Sequence, residues 1–251
     1  MIKISKLIIL TLVITLSFGV LASANIGSWG LSFPTPGEPP NGNESSDYLK
    51  KFDAYFVGDT NKKVIYLTFD GGYEAGYTDG MLDIMAKHKV PSAFFLTGNV
   101  IRDNPDLIKR MESEGHIVAN HTMSHPNMTN ITDINAFRAE LEKSEEFYKT
   151  ATGKDMPKYY RPPEGKYSEQ NLQMAKDLGY KTMFWSLAYV DWNDNAQPSK
   201  DEAFSKLIPR IHNGAIILLH NTSKANSIIL EDLILEYQKM GYEFRSLNDF
   251  K

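Results

Sequence analysis

Seven short apolar runs separated by longer amphipathic stretches fill the sequence from residue 63 onward and leave few folds open. The runs fall at 64–69, 92–97, 116–119, 158–160, 181–186, 215–219 and 242–245. Segments of helical period fall at 78–88, 105–114, 134–150, 168–178, 200–211 and 227–240. Gly115, Gly179 and Gly241 stand just past three of them, where a left-handed residue commonly ends a helix. Strand and helix in strict alternation imply a parallel sheet, because each parallel pairing needs a crossover of a dozen or more residues. Seven such repeats within 251 residues imply one α/β unit, a barrel or a nearly closed one, with an N-terminal extension.

That extension has two parts. Residues 1–24 read as a signal peptide: Lys3 and Lys6, an apolar run from Leu7 to Leu21, then Ala22-Ser23-Ala24 as a small-x-small cleavage site. The run is shorter than the roughly 20 residues that span a bilayer, so export is expected, with an uncleaved anchor as the alternative and the sole route to the membrane. Residues 25–62 read as a Pro/Gly-rich surface arm ending in a short helix near 48–57, and residues 63–251 as the catalytic domain.

Without residues 1–24, which carry two lysines and no acid, the formal charge moves from −4 to −6. An acidic surface without a basic stripe excludes a nucleic-acid partner and suits an uncharged or zwitterionic polymer. There is no cysteine, so disulfides, thiolate metal sites and Cys nucleophiles are excluded. Any metal must rest on carboxylates and on the six histidines, of which His88, His116 and His212 fall on helices or at a strand start and receive no role.

The unusual polar clusters each follow directly on an expected strand. Asp70 follows the first run, His121 and His125 the third, Arg161 the fourth, Asp191 the fifth and His220 the sixth. Each has a plain reading. Asp70-Gly71 can be a turn, and two histidines four apart can be ordinary polar contacts. Arg161 can lie beside a polyproline turn, Asp191 can open a turn, and His220 can be a satisfied structural histidine. Pro126 would stop a helix, which favours a loop for 121–125. In a parallel barrel, however, all strand C-termini open onto one face, so five clusters distant in sequence are expected to converge there.

The motifs Thr68-Phe69-Asp70-Gly71-Gly72, His121-Thr122-Met123-Ser124-His125, Arg161-Pro162-Pro163-Glu164-Gly165, Asp191-Trp192 and Leu218-Leu219-His220 resemble, in order and spacing, those of the carbohydrate esterase family 4 polysaccharide deacetylases. The resemblance implies a distorted (β/α)7 barrel and a hydrolase that removes acetyl groups from amino sugars, on a divalent metal taken as zinc. It departs at one place, since the family's second Asp, a metal ligand, is here Gly71. That departure, with the stretch 66–76 and the arm carrying Trp29, is similar to the subgroup that makes muramic δ-lactam in spore cortex. It implies de-N-acetylation of muramic acid in peptidoglycan strands already stripped of their peptide side chains, outside the cytoplasmic membrane; the chain itself is expected to be a monomer. An N-acetylglucosamine or chitin deacetylase, or a decayed glycan-binding homologue, are the alternatives.

In this reading His121 and His125 hold the metal, Asp70 takes the proton of water, Arg161 keeps Asp70 ionised, and His220 protonates the departing nitrogen. Asp191 steadies His220 or Arg161, and Trp192, Leu218 and Tyr73 touch the sugar. The third ligand position is lost at Gly71; Glu74 is a possible substitute, and Gly71→Asp is expected to tighten metal binding.

Overall fold

The computed structural model describes residues 26–250; the signal-peptide reading of residues 1–24 lies outside them. Eight sheet strands are numbered along the chain: β1 (Ala54–Tyr55), β2 (Val64–Gly71), β3 (Ser92–Leu96), β4 (Ile117–Asn120), β5 (Tyr159–Tyr160), β6 (Lys181–Met183), β7 (Ile216–His220) and β8 (Glu243–Phe244). They pair in parallel in the order β7-β2-β3-β4-β5-β6-β1, with β8 on the early part of β2. Past β6 the chain stays close to β7: Ser186 donates to the Ile216 carbonyl, Leu218 donates to that of Leu187, and Leu187 bridges Ile217. The sheet therefore curls into the distorted barrel that the family resemblance implies.

Strand periodicity sorts the side chains into two layers. Tyr66, Ala93, Phe95, Ile117, Ala119, Met183 and Ile216 pack together inside the barrel. Their neighbours in sequence, including Ile65, Leu67, Phe69, Phe94, Leu96, Val118, Ile217 and Leu219, face outward against the helices. Each such side chain, removed from water, contributes about 1.5–3 kcal/mol before the entropy of ordering is subtracted. Because Thr68 and Asp70 share the parity of Tyr66, the pleat aims them inward at the C-terminal mouth.

Helices form at Thr78–His88, Pro105–Ser113, Ile134–Thr152, Glu169–Asp177, Lys200–Arg210 and Lys224–Lys239. Their ends follow local chemistry. Asp133, Ser168 and Ser223 cap N-termini, Ser199 and Glu202 form a capping box, and Gly115, Gly179 and Gly241 adopt positive φ at the C-terminal ends.

Two features differ from the reading of the sequence. A further short helix, Gly98–Asp103, follows β3. The helix expected at 48–57 is only Ser46–Lys50, after which Ala54–Tyr55 joins the sheet beside β6. Here the aromatic spacing that looked helical belongs to side chains seated on the barrel, as with Phe52 and Phe56, both buried in one cluster with Phe184. The arm is packed rather than loose. Trp29 is buried, stacks on Phe184 at 4.6 Å between ring centroids, and donates its indole N–H to the Trp185 carbonyl at 2.9 Å.

Candidate active site

Asp70 and His220 are register partners on the neighbouring strands β2 and β7. His121 follows β4 directly, and its backbone N–H still bonds the Leu96 carbonyl of β3. Arg161 follows β5 and donates its backbone N–H to Asn120. The barrel mouth thus brings together Asp70, His121, Arg161 and His220, as convergence of the strand ends requires.

Arg161 is fully buried, and each nitrogen of its guanidinium finds an acceptor. Nε bonds the Met183 carbonyl at 2.7 Å; Nη1 bonds Thr68 Oγ1 at 2.9 Å and Asp70 Oδ1 at 2.7 Å; Nη2 reaches the Phe184 carbonyl at 3.3 Å. The plane lies 4.1 Å from the centroid of Phe95. A guanidinium so held cannot follow a moving carboxylate, and it fixes both the charge and the orientation of Asp70. Burial by itself would raise the Asp70 pKa, but the Arg161 charge and hydrogen bond, helped by the imidazoles of His121 and His220, outweigh it and hold the carboxyl below the usual carboxylate range.

His121 and His125 stand 4.9 Å apart between ring centroids with their planes at 70°. His121 donates from Nδ1 to the Arg161 carbonyl at 2.8 Å, which places its lone pair on Nε2, 3.7 Å from Asp70 Oδ2. Burial lowers its pKa to about 4 against the pull of Asp70, so the ring is neutral near pH 7. The segment between the two histidines is a loop. Thr122 and His125 both take positive φ, 67° and 61°, a strained geometry that Thr122 Oγ1, accepting from the His125 N–H at 2.9 Å, helps to hold. Two imidazoles presented this way fit a divalent cation whose other positions go to water or substrate. Among the described residues no group of three His, Cys, Asp or Glu gathers for a metal.

Asp191 is fully buried and serves His220, not Arg161. Its Oδ1 accepts from His220 Nδ1 at 2.7 Å and its Oδ2 from the His220 backbone N–H at 2.8 Å. The Nε2 edge of His220 is thereby left for chemistry. Although burial pulls the His220 pKa down, the hydrogen bond and charge of Asp191, with Asp70 behind them, leave it raised. Trp192 is exposed with its ring edge-on to His220 at 5.9 Å, and Leu218 is buried one pleat below His220. Tyr73 sits at the rim, its hydroxyl donating to Asp194 Oδ2 at 2.7 Å.

Two expectations about ligands change. Glu74 turns away from the histidines: its carboxylate accepts from the Gly76 N–H at 2.6 Å and the Thr78 hydroxyl at 2.5 Å, capping the helix that begins there. Gly71 lies within β2 with the opposite parity to Asp70, so a side chain there points to the helix layer. Its Cβ would fall 2.4 Å from Asn221 Oδ1 and 2.7 Å from Leu96 Cδ2. An Asp at 71 therefore fits only if the ends of the Asn221 and Leu96 side chains shift, and it starts on the helix side of the sheet, so the expected tightening of metal binding does not follow from that change alone.

Three supporting residues escaped the sequence reading. Thr68, which the motif marks only by its place before Asp70, also donates its hydroxyl to the Ile217 carbonyl at 2.6 Å, which orients it beneath Arg161. Asn226 donates to Asp191 Oδ2 at 2.5 Å and to the His220 carbonyl at 3.0 Å, while accepting from Tyr189 at 2.5 Å. Gln197 pins the loop after Asp191 through the Asp191 and Asn193 carbonyls. An Asn in the first turn of a helix and a loop Gln carry no local mark of such roles. The three histidines given no role are remote from the mouth: His88 pairs with Glu231, His116 with Ser92, and His212 with Ser186.

The sequence model of the polysaccharide deacetylase family matches residues 57–183. The chain is 45% identical over 224 residues to the peptidoglycan-N-acetylmuramic acid deacetylase PdaA of Bacillus subtilis, covering 88% of this chain and 84% of that one. It is 33% identical over 204 residues to a peptidoglycan-N-acetylglucosamine deacetylase of Bacillus cereus, covering 80% and 72%. In three dimensions it is similar to Bacillus subtilis PdaA, described as a family 4 carbohydrate esterase, with a TM-score of 0.85 and 42% identity across 90% of this chain and 97% of that one. The ordered motifs, the curled parallel sheet and these likenesses agree, and the chain belongs to the polysaccharide deacetylases, family 4 of the carbohydrate esterases.

Proposed function

We propose that this chain removes the N-acetyl group from muramic acid residues of peptidoglycan, on the route to muramic δ-lactam in spore cortex, and acts outside the cytoplasmic membrane after export. The family makes it a hydrolase of amide bonds in a polysaccharide. The observation that carries the chemistry is a buried carboxylate, Asp70, held ionised by Arg161 opposite an imidazole, His220, that is itself held by Asp191. The choice of muramic acid is supported by the greater identity to the N-acetylmuramic acid deacetylase than to the N-acetylglucosamine enzyme.

An acetamide is a poor electrophile with a poor leaving group, so hydrolysis needs an activated water, a stabiliser for the oxyanion and an acid. Asp70 takes a proton from the attacking water as its oxygen bonds the acetamide carbon. Arg161 supports this by keeping Asp70 charged and aimed. His220, protonated through its contact with Asp191, gives a proton from Nε2 to the sugar nitrogen as the C–N bond breaks. Acetate and a free amine result, and the amine can then condense with the lactyl carboxyl of the same sugar, releasing water as the lactam C–N bond forms. His121 and His125 would hold a divalent metal, zinc in this reading, whose chemistry when bound is to polarise the carbonyl and to acidify a water. Trp192 and Leu218 would wall the acetyl and the sugar ring.

The test is acetate release from peptide-free glycan, followed by mass spectrometry of the digested strands. Loss of 42 Da on muramic residues, about the mass of one acetyl replaced by hydrogen, is the expected result. Loss on glucosamine residues instead would assign the chain to the other deacetylases, and no acetate from any glycan with metal present would make it a decayed binder.

A further inference from the structure

A groove of about 1060 Å³ leads away from the catalytic mouth. It begins at Trp192 and Leu218, and runs down the side of the barrel between the arm, at Leu31 and Phe33, and the helix Lys200–Arg210. The groove combines three properties on one wall.

The first is aromatic surface beside the chemistry. Trp192 is 57% exposed at the upper end, edge-on to His220, and Val190 beside it is 59% exposed. An exposed indole face flanked by apolar side chains suits the CH faces of pyranose rings. The second is free positive charge. Lys206 and Arg210 lie one helical turn apart on the groove wall, and neither side chain forms an ion pair or hydrogen bond among the described residues. The Arg210 guanidinium lies over the Phe33 ring at 4.5 Å, an attachment to the arm that leaves its N–H edge unused. The third is that the one acid lining the groove is already engaged: Glu202 accepts from the backbone and hydroxyl of Ser199, both at 2.8 Å. On a chain of net charge −4, a groove carrying two uncompensated cations is selective for an anion on its occupant.

We infer that this groove is a second glycan subsite, in which Lys206 and Arg210 read the free lactyl carboxylate of the next muramic residue along the strand, two sugars from the one that is deacetylated. The inference rests on the peptidoglycan reading above and deepens it. Along such a strand every second sugar carries a lactyl group, and its carboxylate is free only where no peptide is attached. A chitin-type strand offers no anion, and a peptide-bearing strand has its lactyl carboxyl tied up as an amide. The groove thus supplies a physical reason for the enzyme to prefer muramic strands already stripped of peptide, through contacts that lie apart from the reacting carbonyl. Contacts of this kind tighten substrate and transition state equally, so they lower KM and leave kcat unchanged.

The experiment compares three tetrasaccharides: a peptide-free N-acetylglucosamine–N-acetylmuramic acid strand, the same strand with its lactyl carboxyls converted to neutral amides, and chitotetraose. Steady-state kinetics are measured for the wild type, Lys206→Gln, Arg210→Lys and the double variant Lys206→Gln/Arg210→Gln. Binding of each strand to Asp70→Asn, with and without the two groove substitutions, is measured by calorimetry. For the free-acid strand, the double variant should raise KM about tenfold, equivalent to the loss of about 1.4 kcal/mol, with kcat kept. The neutral strands should be unaffected. Lys206→Gln alone, at an exposed position, should give part of the effect, and Arg210→Lys should retain most of the affinity.

An unchanged KM for the free-acid strand overturns the inference, as does an equal loss for the amide strand, which would make the groove a matter of shape. If the wild type deacetylates only chitotetraose while the groove substitutions still weaken calorimetric binding of the acid strand, the subsite stands and the muramic reaction falls. If the acid strand is turned over but its binding does not depend on charge, the muramic reaction stands and the subsite falls.

Discussion

Arg161 donates through Nη1 to Asp70 Oδ1 across 2.7 Å, with the guanidinium fully buried and the carboxylate nearly so. Breaking a buried pair by removing one partner costs about 3–5 kcal/mol, because the other charge is left without compensation. Arg161→Ala should therefore lower the urea midpoint substantially and abolish activity as well. Asp70→Asn keeps an acceptor for Arg161 and should cost less in stability. It removes the proton acceptor, so kcat for acetate release should fall by about 10²–10⁴. Near wild-type turnover in Asp70→Asn would remove Asp70 from the chemistry.

His220 and Asp191 give the reaction its alkaline limit. Burial opposes the charge on His220, but the Asp191 carboxylate, supported by Asp70, raises its pKa above 6.5. The acid form is the one that protonates nitrogen, so kcat/KM should fall as pH rises through that raised value. The same linkage stabilises the fold: a raised histidine pKa contributes stability that is full below the unfolded value of about 6.5 and is lost as pH rises through the folded one. Asp191→Asn removes the charge while keeping the shape. The alkaline limb of the rate profile should move to lower pH, and the pH dependence of the melting temperature above about 6.5 should flatten. A profile identical to wild type would mean that another group sets the limit.

Much of this site was legible because a parallel barrel turns sequence position into place. Asp70, His121, Arg161 and His220 each end or follow a strand, and the shared polarity of the strands brings them to one mouth. What could not be read were the partners that the closure of the sheet selects. Thr68 meets Arg161 across 93 residues, and Asn226 meets Asp191 across 35, with no local pattern marking either. The misread helix at 48–57 has the same origin, since Phe52 and Phe56 answer to the barrel surface rather than to a helix of their own. Gly71 is the sharpest case. Its neighbour in sequence is the base, yet the pleat sends the two residues to opposite sides of the sheet.

That pleat yields a prediction for Gly71. With Asn221 Oδ1 2.4 Å and Leu96 Cδ2 2.7 Å from the Cβ position, Gly71→Asp forces both neighbours to move. Overpacking of this kind costs about 1–3 kcal/mol, and zinc affinity measured by calorimetry should not increase. Asn221 is buried, bonds the Thr78 hydroxyl at 2.8 Å, and its Oδ1 has no protein donor. Gly71→Asp/Asn221→Ala opens the space and should recover part of the lost stability. Tighter zinc binding by Gly71→Asp alone, at wild-type stability, would show that the strand end bends enough to deliver a third ligand.

The arm supplies a prediction about stability rather than chemistry. Trp29 is wedged among Phe56, Tyr167 and Phe184 and hydrogen-bonds the Trp185 carbonyl. Truncating a buried Trp typically costs about 3–5 kcal/mol, so Trp29→Ala should lower the melting temperature as strongly as a core substitution. A tether would tolerate the change, and a melting temperature within about 1 °C of wild type would show that the arm is dispensable to the barrel.

Tyr73 and Asp194 join two rim loops, one following β2 and the other following Trp192, through a single exposed hydrogen bond of 2.7 Å. Exposed hydrogen bonds contribute little to global stability, so Tyr73→Phe should leave the melting temperature nearly unchanged. Its effect should appear in binding, because the Asp194 loop carries Trp192 beside His220 and loses a tie to the opposite rim. A contact of about 0.5–1 kcal/mol corresponds to a KM rise of about two- to fivefold. That rise should be seen on a long glycan strand with kcat retained, since neither loop holds the groups that move protons. Asp194→Asn preserves an acceptor for the phenol and should behave closer to wild type. If Tyr73→Phe instead lowered kcat while KM stayed fixed, the phenol would belong to the chemistry itself, and its bond to Asp194 would be a resting arrangement that substrate displaces.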